Sequence, residues 1–265
     1  MKLFVESAAV LAPGLAGWAA SREVLAGERP YAPAPLAPLV ADLLPPVERR
    51  RTGSTVKMAL SVGKDALTHA GRDVETVATV FASSGNDGDV INDILITLAG
   101  EERQVSPTRF HNSVHNAPSG YWGIATHSHR PSTSVCAFDW SFATGLLEAA
   151  AQLHADRPEV LLIAYDMPYP MPFGAIRRVE HPFGAALLLT RSRTDRSIAG
   201  LELTMDATAR TVSRMEDAGL EQLRGGNPSA RALPLLAALA RAQPGQVTLE
   251  RNAGRTITLA MTQVS

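Results

Sequence analysis

"STSVCAFDWSFATGLLEAAAQL", residues 132–153, is the stretch on which the fold turns. An apolar, β-prone run (132–138) meets a polar corner, and a helix of small and apolar residues follows (141–154). Enzymes that hold a nucleophile between strand and helix use this grammar, with a cysteine or serine at the corner. Here the corner carries Asp139 and Trp140, and the chain's one cysteine, Cys136, comes three or four residues early. "EVLLIAYD" (159–166) then reads as a second buried strand. Strand, helix and strand in succession point to an α/β fold.

Elements of the same kind extend in both directions. "LFVESAAVLAPG" reads as a first strand and its turn, and "LAGWAASREVLAGE" as a helix. "RPYAPAPLAPLVADLLPPVERRR" reads as a proline-punctuated loop with a short helical piece. "STVKMALSVGKDALTHAG" gathers Val56, Ala59, Leu60, Val62 and Leu67 on one helical face, and Gly71 stops it. "TVATVFASSGNDG" predicts a buried strand entering a glycine turn, and "DVINDILITLAG" a helix capped by its aspartate, Asp89. "FGAALLLTRS" is expected to pair with "AGLELTMDA". "NPSARALPLLAALARAQ" is a helix, and "QVTLERNAGRTITLAMTQ" a hairpin around Asn252 to Gly254. No linker stands out, so one domain over 1–265 is expected.

A chain of 265 residues, 45% apolar and 19% charged, can bury one substantial core. Its formal net charge of −1 gives no global pull towards nucleic acid or an anionic membrane. One cysteine excludes an internal disulfide framework and suits a reducing cytoplasm. The three lysines are Lys2, Lys57 and Lys64, so arginine supplies most of the positive charge. Glu6 and Pro13 interrupt the amino-terminal apolar run, which argues for a strand over a secretory signal. No run approaches the roughly 20 apolar residues of a membrane helix.

Four histidines lie within nineteen residues: His111, His115, His127 and His129. Two imidazoles at such spacings can share a face, but a metal site needs a third or fourth ligand and oriented acceptors behind them. No metal or cofactor is expected. Cys136 sits among Val135, Ala137 and Phe138, where cysteine behaves as a small hydrophobe. Ser141 with a histidine and Asp139 could form a hydrolytic triad, although no G-x-S-x-G elbow surrounds it. "FASSGNDGD" lacks the glycine and lysine pattern of a phosphate cradle.

The ordered series of stretches resembles the β-ketoacyl synthases of the thiolase-like fold. Within them it is most similar to the short chain-length-factor-like members found with aryl polyene or xanthomonadin-type pigment clusters. The likeness runs through "LFVESAAVLAPG", "GWAASREVLAGERPY", "RRRTGSTVKMALSVGKDALTHAG", "VFASSGNDG", "SPTRFHNSVHNAPSG", the 131–166 segment and "HPFGAALLLTRS". It implies a synthase-like amino-terminal half over 1–200 and a shortened carboxy-terminal remnant over 201–265. Family enzymes attack a thioester with a cysteine at the start of the long helix, and two histidines from the second half assist. Asp139 or Trp140 stands at that cysteine position, depending on the direction of counting. The histidine-bearing stretches are missing, with no histidine beyond His181.

The resemblance therefore implies a non-catalytic subunit that pairs with a full-length β-ketoacyl synthase and shapes its acyl tunnel. It would meet acyl carrier protein through that partner. It also places the strand residues Ser132, Thr133, Ser134, Val135 and Cys136 near a subunit interface, with Thr108, Arg109 and Phe110 at the partner's tunnel. The alternative for Phe110 is burial in the protein's own core. Two rival readings stand beside the first. One is a small acyltransferase or thioesterase using Cys136 or Ser141; the other is a stand-alone acyl-binding module.

Overall fold

The computed structural model describes residues 1–85, 87–101 and 103–263. In chain order the first elements are β1 (Lys2–Ala12), β2 (Leu15–Ala16), α1 (Trp18–Ala26), α2 (Pro46–Arg51), α3 (Ser54–Ala70) and β3 (Ala78–Ala82). Then come α4 (Gly88–Ala99), α5 (Pro107–Asn112), α6 (Ala117–Thr126), β4 (Ser132–Val135), α7 (Ser141–Ala155) and β5 (Glu159–Asp166). The remainder is α8 (Phe173–Ile176), β6 (Phe183–Thr190), β7 (Ala199–Met205), α9 (Ala218–Gly226), α10 (Leu233–Arg241), β8 (Gly245–Asn252) and β9 (Arg255–Thr262). Short 3-10 turns occupy Phe138–Trp140 and Ser229–Ala232.

Eight strands run in the order β4-β3-β5-β6-β1-β7-β9-β8, and β2 folds back on β1. β3 is parallel to β4 and β5; the other pairs are antiparallel. Both faces are covered, so the central strands are buried almost without interruption. Val160, Leu162 and Ala164 of β5 face a core shared with α7, α1 and α10, while Leu161, Ile163 and Tyr165 face α3 and α6. The result is a mixed α/β sandwich of thiolase-like form. Close approach matters at Gly145, where a Cβ would meet Ala82 Cβ at 2.7 Å and Leu162 Cδ1 at 3.0 Å. That lets α7 lie directly on the sheet.

β1 changes parity part-way along. Leu3 and Val5 face the α7 side, and so do Ala8, Val10 and Ala12, because the register with β6 shifts between Val5 and Ser7. The bulge re-aims a side chain, as bulges do. Glu6, its side chain fully buried, accepts from Arg72 Nη2 (3.1 Å) and Thr194 Oγ1 (2.5 Å), and Arg72 Nε also donates to Glu159 (3.0 Å).

Several expectations change. β6 does not pair with β7, because β1 lies between them. The cap of α4 is Asp87, not Asp89: Asp87 has the extended backbone of a cap and its carboxylate accepts from Val90 N at 3.2 Å. The run 132–138 stays a strand only to Val135. The peptide N–H of Ala137 donates to Ser141 Oγ, and Phe138 takes a positive φ of 54°, which turns the chain out of the ladder. The histidine-rich stretch forms two helices, α5 and α6. Helix α9 went unpredicted, although Asp217 caps it by accepting from Gly219 N and Leu220 N.

Among the described residues no helix is long and apolar enough to cross a membrane.

Candidate functional site

The carboxyl ends of the parallel strands β3, β4 and β5 converge, the usual place for a site in an α/β sheet. Asp166, at the end of β5, is wholly buried. Its Oδ1 accepts from Ser84 N (2.8 Å), Ser84 Oγ (2.7 Å) and Ser83 Oγ (3.0 Å), and its Oδ2 from Ser229 Oγ (2.6 Å). Burial pushes this carboxyl above its ordinary range, while the serine donors pull the other way. Asn227 Nδ2 binds the carbonyls of Asp166 (3.1 Å) and His181 (2.7 Å), fastening β5 to the carboxy-terminal segment.

The corner between β4 and α7 is held from inside by Ser141. Its hydroxyl is fully buried, accepts from Ala137 N (3.0 Å), and lies 2.8 Å from Phe138 O and 3.1 Å from Ser83 O. No histidine is among those partners, so the structure does not assemble the triad considered for Ser141. Cys136 is corrected outright: it is exposed, beyond the strand, with Sγ donating to Ser84 O at 3.4 Å.

Asp139 forms an ion-pair hub. Its Oδ1 lies 2.6 Å from Arg177 Nη2 and its Oδ2 3.3 Å from Arg231 Nη2. Arg231 Nη1 continues to Glu250 Oε2 at 3.2 Å. The Arg177 guanidinium also lies over the Phe138 ring, 3.7 Å from its centroid. Arg177 Nη2 is buried without an aligned hydrogen bond among the described residues, so its tie to Asp139 is a charge contact. Trp140 is half-buried, and its indole nitrogen has no hydrogen-bond partner among the described residues. Two hollows flank the hub. One, of about 220 Å³, includes Asp139, Phe142, Arg231 and Glu250 in its walls. The other, of about 420 Å³, is a mainly apolar slot between Ile91, Tyr169, Phe173, Ile176 and the Arg177 stem.

β4 is an edge strand. Thr79 N donates to Pro131 O and Ser83 N to Val135 O, so odd-numbered residues of β4, Thr133 included, face β3. The backbone groups of Ser132 and Ser134 therefore point away from the sheet. Ser132 Oγ accepts from Thr79 Oγ1 (2.8 Å), Thr133 Oγ1 from Gln152 Nε2 (3.0 Å), and Ser134 Oγ donates to Ser119 Oγ (3.3 Å). Val135 packs partly against the core. Thr108, Arg109 and Phe110 are exposed on α5. Phe110 is 67% exposed, which excludes burial in this chain's own core, and Arg109 pairs with Asp93 of α4.

The four clustered histidines do not converge. His111 Nδ1 meets Asn112 Oδ1 (3.2 Å), both ring nitrogens of His115 are buried without hydrogen-bond partners among the described residues, and His127 and His129 are exposed. Among the described residues no group of three or more His, Cys, Asp or Glu could hold a metal ion. Sequence reasoning missed Arg177 and Arg231. Both lie far from Asp139 along the chain, and no local pattern joins them.

The complex of the ketosynthase ApeO with its chain length factor ApeC from Xenorhabdus doucetiae contains a similar fold: TM-score 0.75, 22% identity, 98% of this chain and 99% of that one. The ishigamide ketosynthase/chain length factor gives 0.72 and 13%, over 100% and 99%. A β-ketoacyl synthase from Burkholderia phymatum STM815 gives 0.70 and 12%, over 100% of both. At these identities the likeness is one of fold. No curated protein matches the sequence. Residues 18–253 match the family described as β-ketoacyl synthase, N-terminal domain. By that match across most of its length, the chain belongs to the β-ketoacyl synthase N-terminal domain family.

Proposed function

We propose that this chain is a non-catalytic partner of an active β-ketoacyl synthase, a chain-length-factor-like subunit that helps to shape the acyl tunnel. Aryl polyene-type biosynthesis is the favoured setting. The observation that carries the reading is the Asp139 hub. At the corner where a synthase needs a thiolate stands a carboxylate held by Arg177 and Arg231. Such a carboxylate forms no stable acyl thioester equivalent, and its pairing suits structure better than attack. Two further features support a partner. β4 leaves unpaired backbone groups at the sheet edge, which are costly to leave bare. Exposed Phe138 and Ile124 add apolar surface on elements next to β4, and exposed Phe110 adds more on α5. Similar folds occur in ketosynthase–chain length factor complexes. Acyl carrier protein would then be met through the synthase.

The test is co-expression with candidate synthases from the same genome, followed by condensation assays on each chain and on the pair. The reading expects activity only when a synthase is present. Ketoacyl product from this chain alone would overturn it.

The exposure of Cys136 favours a second reading, acyl transfer through that thiol. Against it, the thiol's hydrogen bond goes to a backbone carbonyl and not to a base. Mass spectrometry after incubation with an acyl thioester separates the readings: an adduct that disappears in Cys136→Ala supports the second.

A further inference from the structure

The 220 Å³ cavity beside Asp139 lies between the first turn of α7 and the segment leading into α9. Its walls carry three guanidinium groups, Arg214, Arg224 and Arg231, with the Ser213 hydroxyl, against two carboxylates, Asp139 and Glu250. Arg231 divides itself between those two acids. Arg224 grips Glu221 with Nε and Nη2, each at 2.7 Å, and Arg214 Nη1 reaches the same carboxylate at 3.2 Å. The hydrogen bonds from Arg224, with the Met215 peptide N–H and the charges of Arg224 and Arg214 adding to them, hold the Glu221 carboxyl down to about 2 against the cost of its burial.

A guanidinium offers five N–H donors, so each of these arginines keeps donors beyond those spent on its acid. Forked, permanently charged donors that converge on a small, partly desolvated space match oxyanions in both geometry and charge. Asp139 already shows the preference: between Arg177 and Arg231 the chain seats a carboxylate of its own. With the partners behind the wall counted, four arginines (Arg177, Arg214, Arg224 and Arg231) face three acids (Asp139, Glu221 and Glu250), and a phosphate monoester carries about −1.5 to −2 at neutral pH.

We propose that this cavity binds a phosphate group, with Arg214, Arg224 and Arg231 as its donors and Asp139 and Glu250 limiting its affinity. The site is independent of any synthase partner, so its failure leaves the preceding proposal standing.

The test is titration of the full chain, as it purifies, with inorganic phosphate and with glycerol 3-phosphate, followed by amide NMR shifts and thermal unfolding. Sodium chloride at matched ionic strength is the control. Saturable shifts are expected around residues 212–214, 224–225 and 249–250. Tighter binding of glycerol 3-phosphate would assign the site to a phosphate ester, and equal binding to the free ion. Asp139→Asn removes a repelling charge at constant shape and should tighten binding about threefold or more, whereas Arg214→Gln should weaken it by a similar factor. Arg214 is 73% exposed, so that variant spares the fold even if Arg224→Gln, at 11%, does not. Shifts equal to those of the chloride control, or affinities unmoved by both Asp139→Asn and Arg214→Gln, overturn the proposal.

Discussion

The carboxylate of Asp139 and the guanidinium of Arg177 meet at 2.6 Å, joining the β4–α7 corner to the 167–182 segment. Arg231 joins the same carboxylate to the start of the carboxy-terminal helices. Asp139 thus works as a tie between three parts of the chain that are distant in sequence.

Removing that tie should destabilise the fold. All three side chains are 20–29% exposed, so solvent screens the pairs in part. Asp139→Ala should cost about 1–2 kcal/mol, chiefly from the Arg177 guanidinium left without this counter-charge, since Arg231 keeps Glu250. Urea denaturation midpoints measure this; an unchanged midpoint would show that the hub contributes nothing.

Asp139→Cys should not create a condensing enzyme. The thiol would sit beside two arginines but without the pair of histidines that the family's chemistry uses. Condensation of acyl and malonyl thioesters by this variant alone would refute that expectation.

Proline substitutions along β4 should separate inner from outer backbone groups. Thr133 faces β3, so Thr133→Pro should damage the fold itself. Ser134→Pro removes an N–H that points off the edge, and should weaken partner association while the chain stays folded. Circular dichroism with a pull-down distinguishes the two, and intact association in Ser134→Pro would remove β4 from the interface.

Phe110 is exposed, so Phe110→Ala should leave the unfolding midpoint within about 0.5 kcal/mol of the parent. In a reconstituted pair the product distribution should broaden or lengthen. An unchanged distribution would assign the tunnel wall to other residues.

Acid stability should depend on Glu221. Its carboxyl titrates at about 2 in the fold against an ordinary 4.5. A carboxyl depressed by folding stabilises the native state fully above its unfolded value, and that contribution fades as pH falls from about 4.5 towards 2. Glu221→Gln should therefore lower stability at neutral pH and flatten its decline through that window. Parallel pH profiles for both proteins would count against it.

What the sequence made legible was local. The face formed by Val56, Ala59, Leu60 and Leu67, closed by Gly71, marked α3 because helical period and capping glycine agree. The β8–β9 hairpin was readable from its turn, with Asn252 opposite Arg255. Cys136 was misread because V-C-A-F continues an apolar pattern past Val135, where the strand ends ahead of the turn at Phe138. The wrong partner for β6 has a different cause. Adjacent segments often pair, but here β1 had already taken the position, and nothing in the local pattern of residues 183–205 reveals that. The clamp on Asp139 was invisible for the same reason: its arginines arrive through tertiary folding.

The central seat of β1 has a consequence for how the molecule forms. Lys2–Val5 lie against Ala199–Glu202, and Phe4–Leu11 against Gly184–Thr190. β1 must therefore wait, most of both edges bare, until β6 and β7 have been synthesised. Loops of that length are slow to close, and an apolar strand held open is a template for wrong pairing. Production of this protein should accordingly be limited by the fate of β1 during translation, and slower elongation at low temperature or a chaperone that shields nascent apolar segments should raise the folded yield.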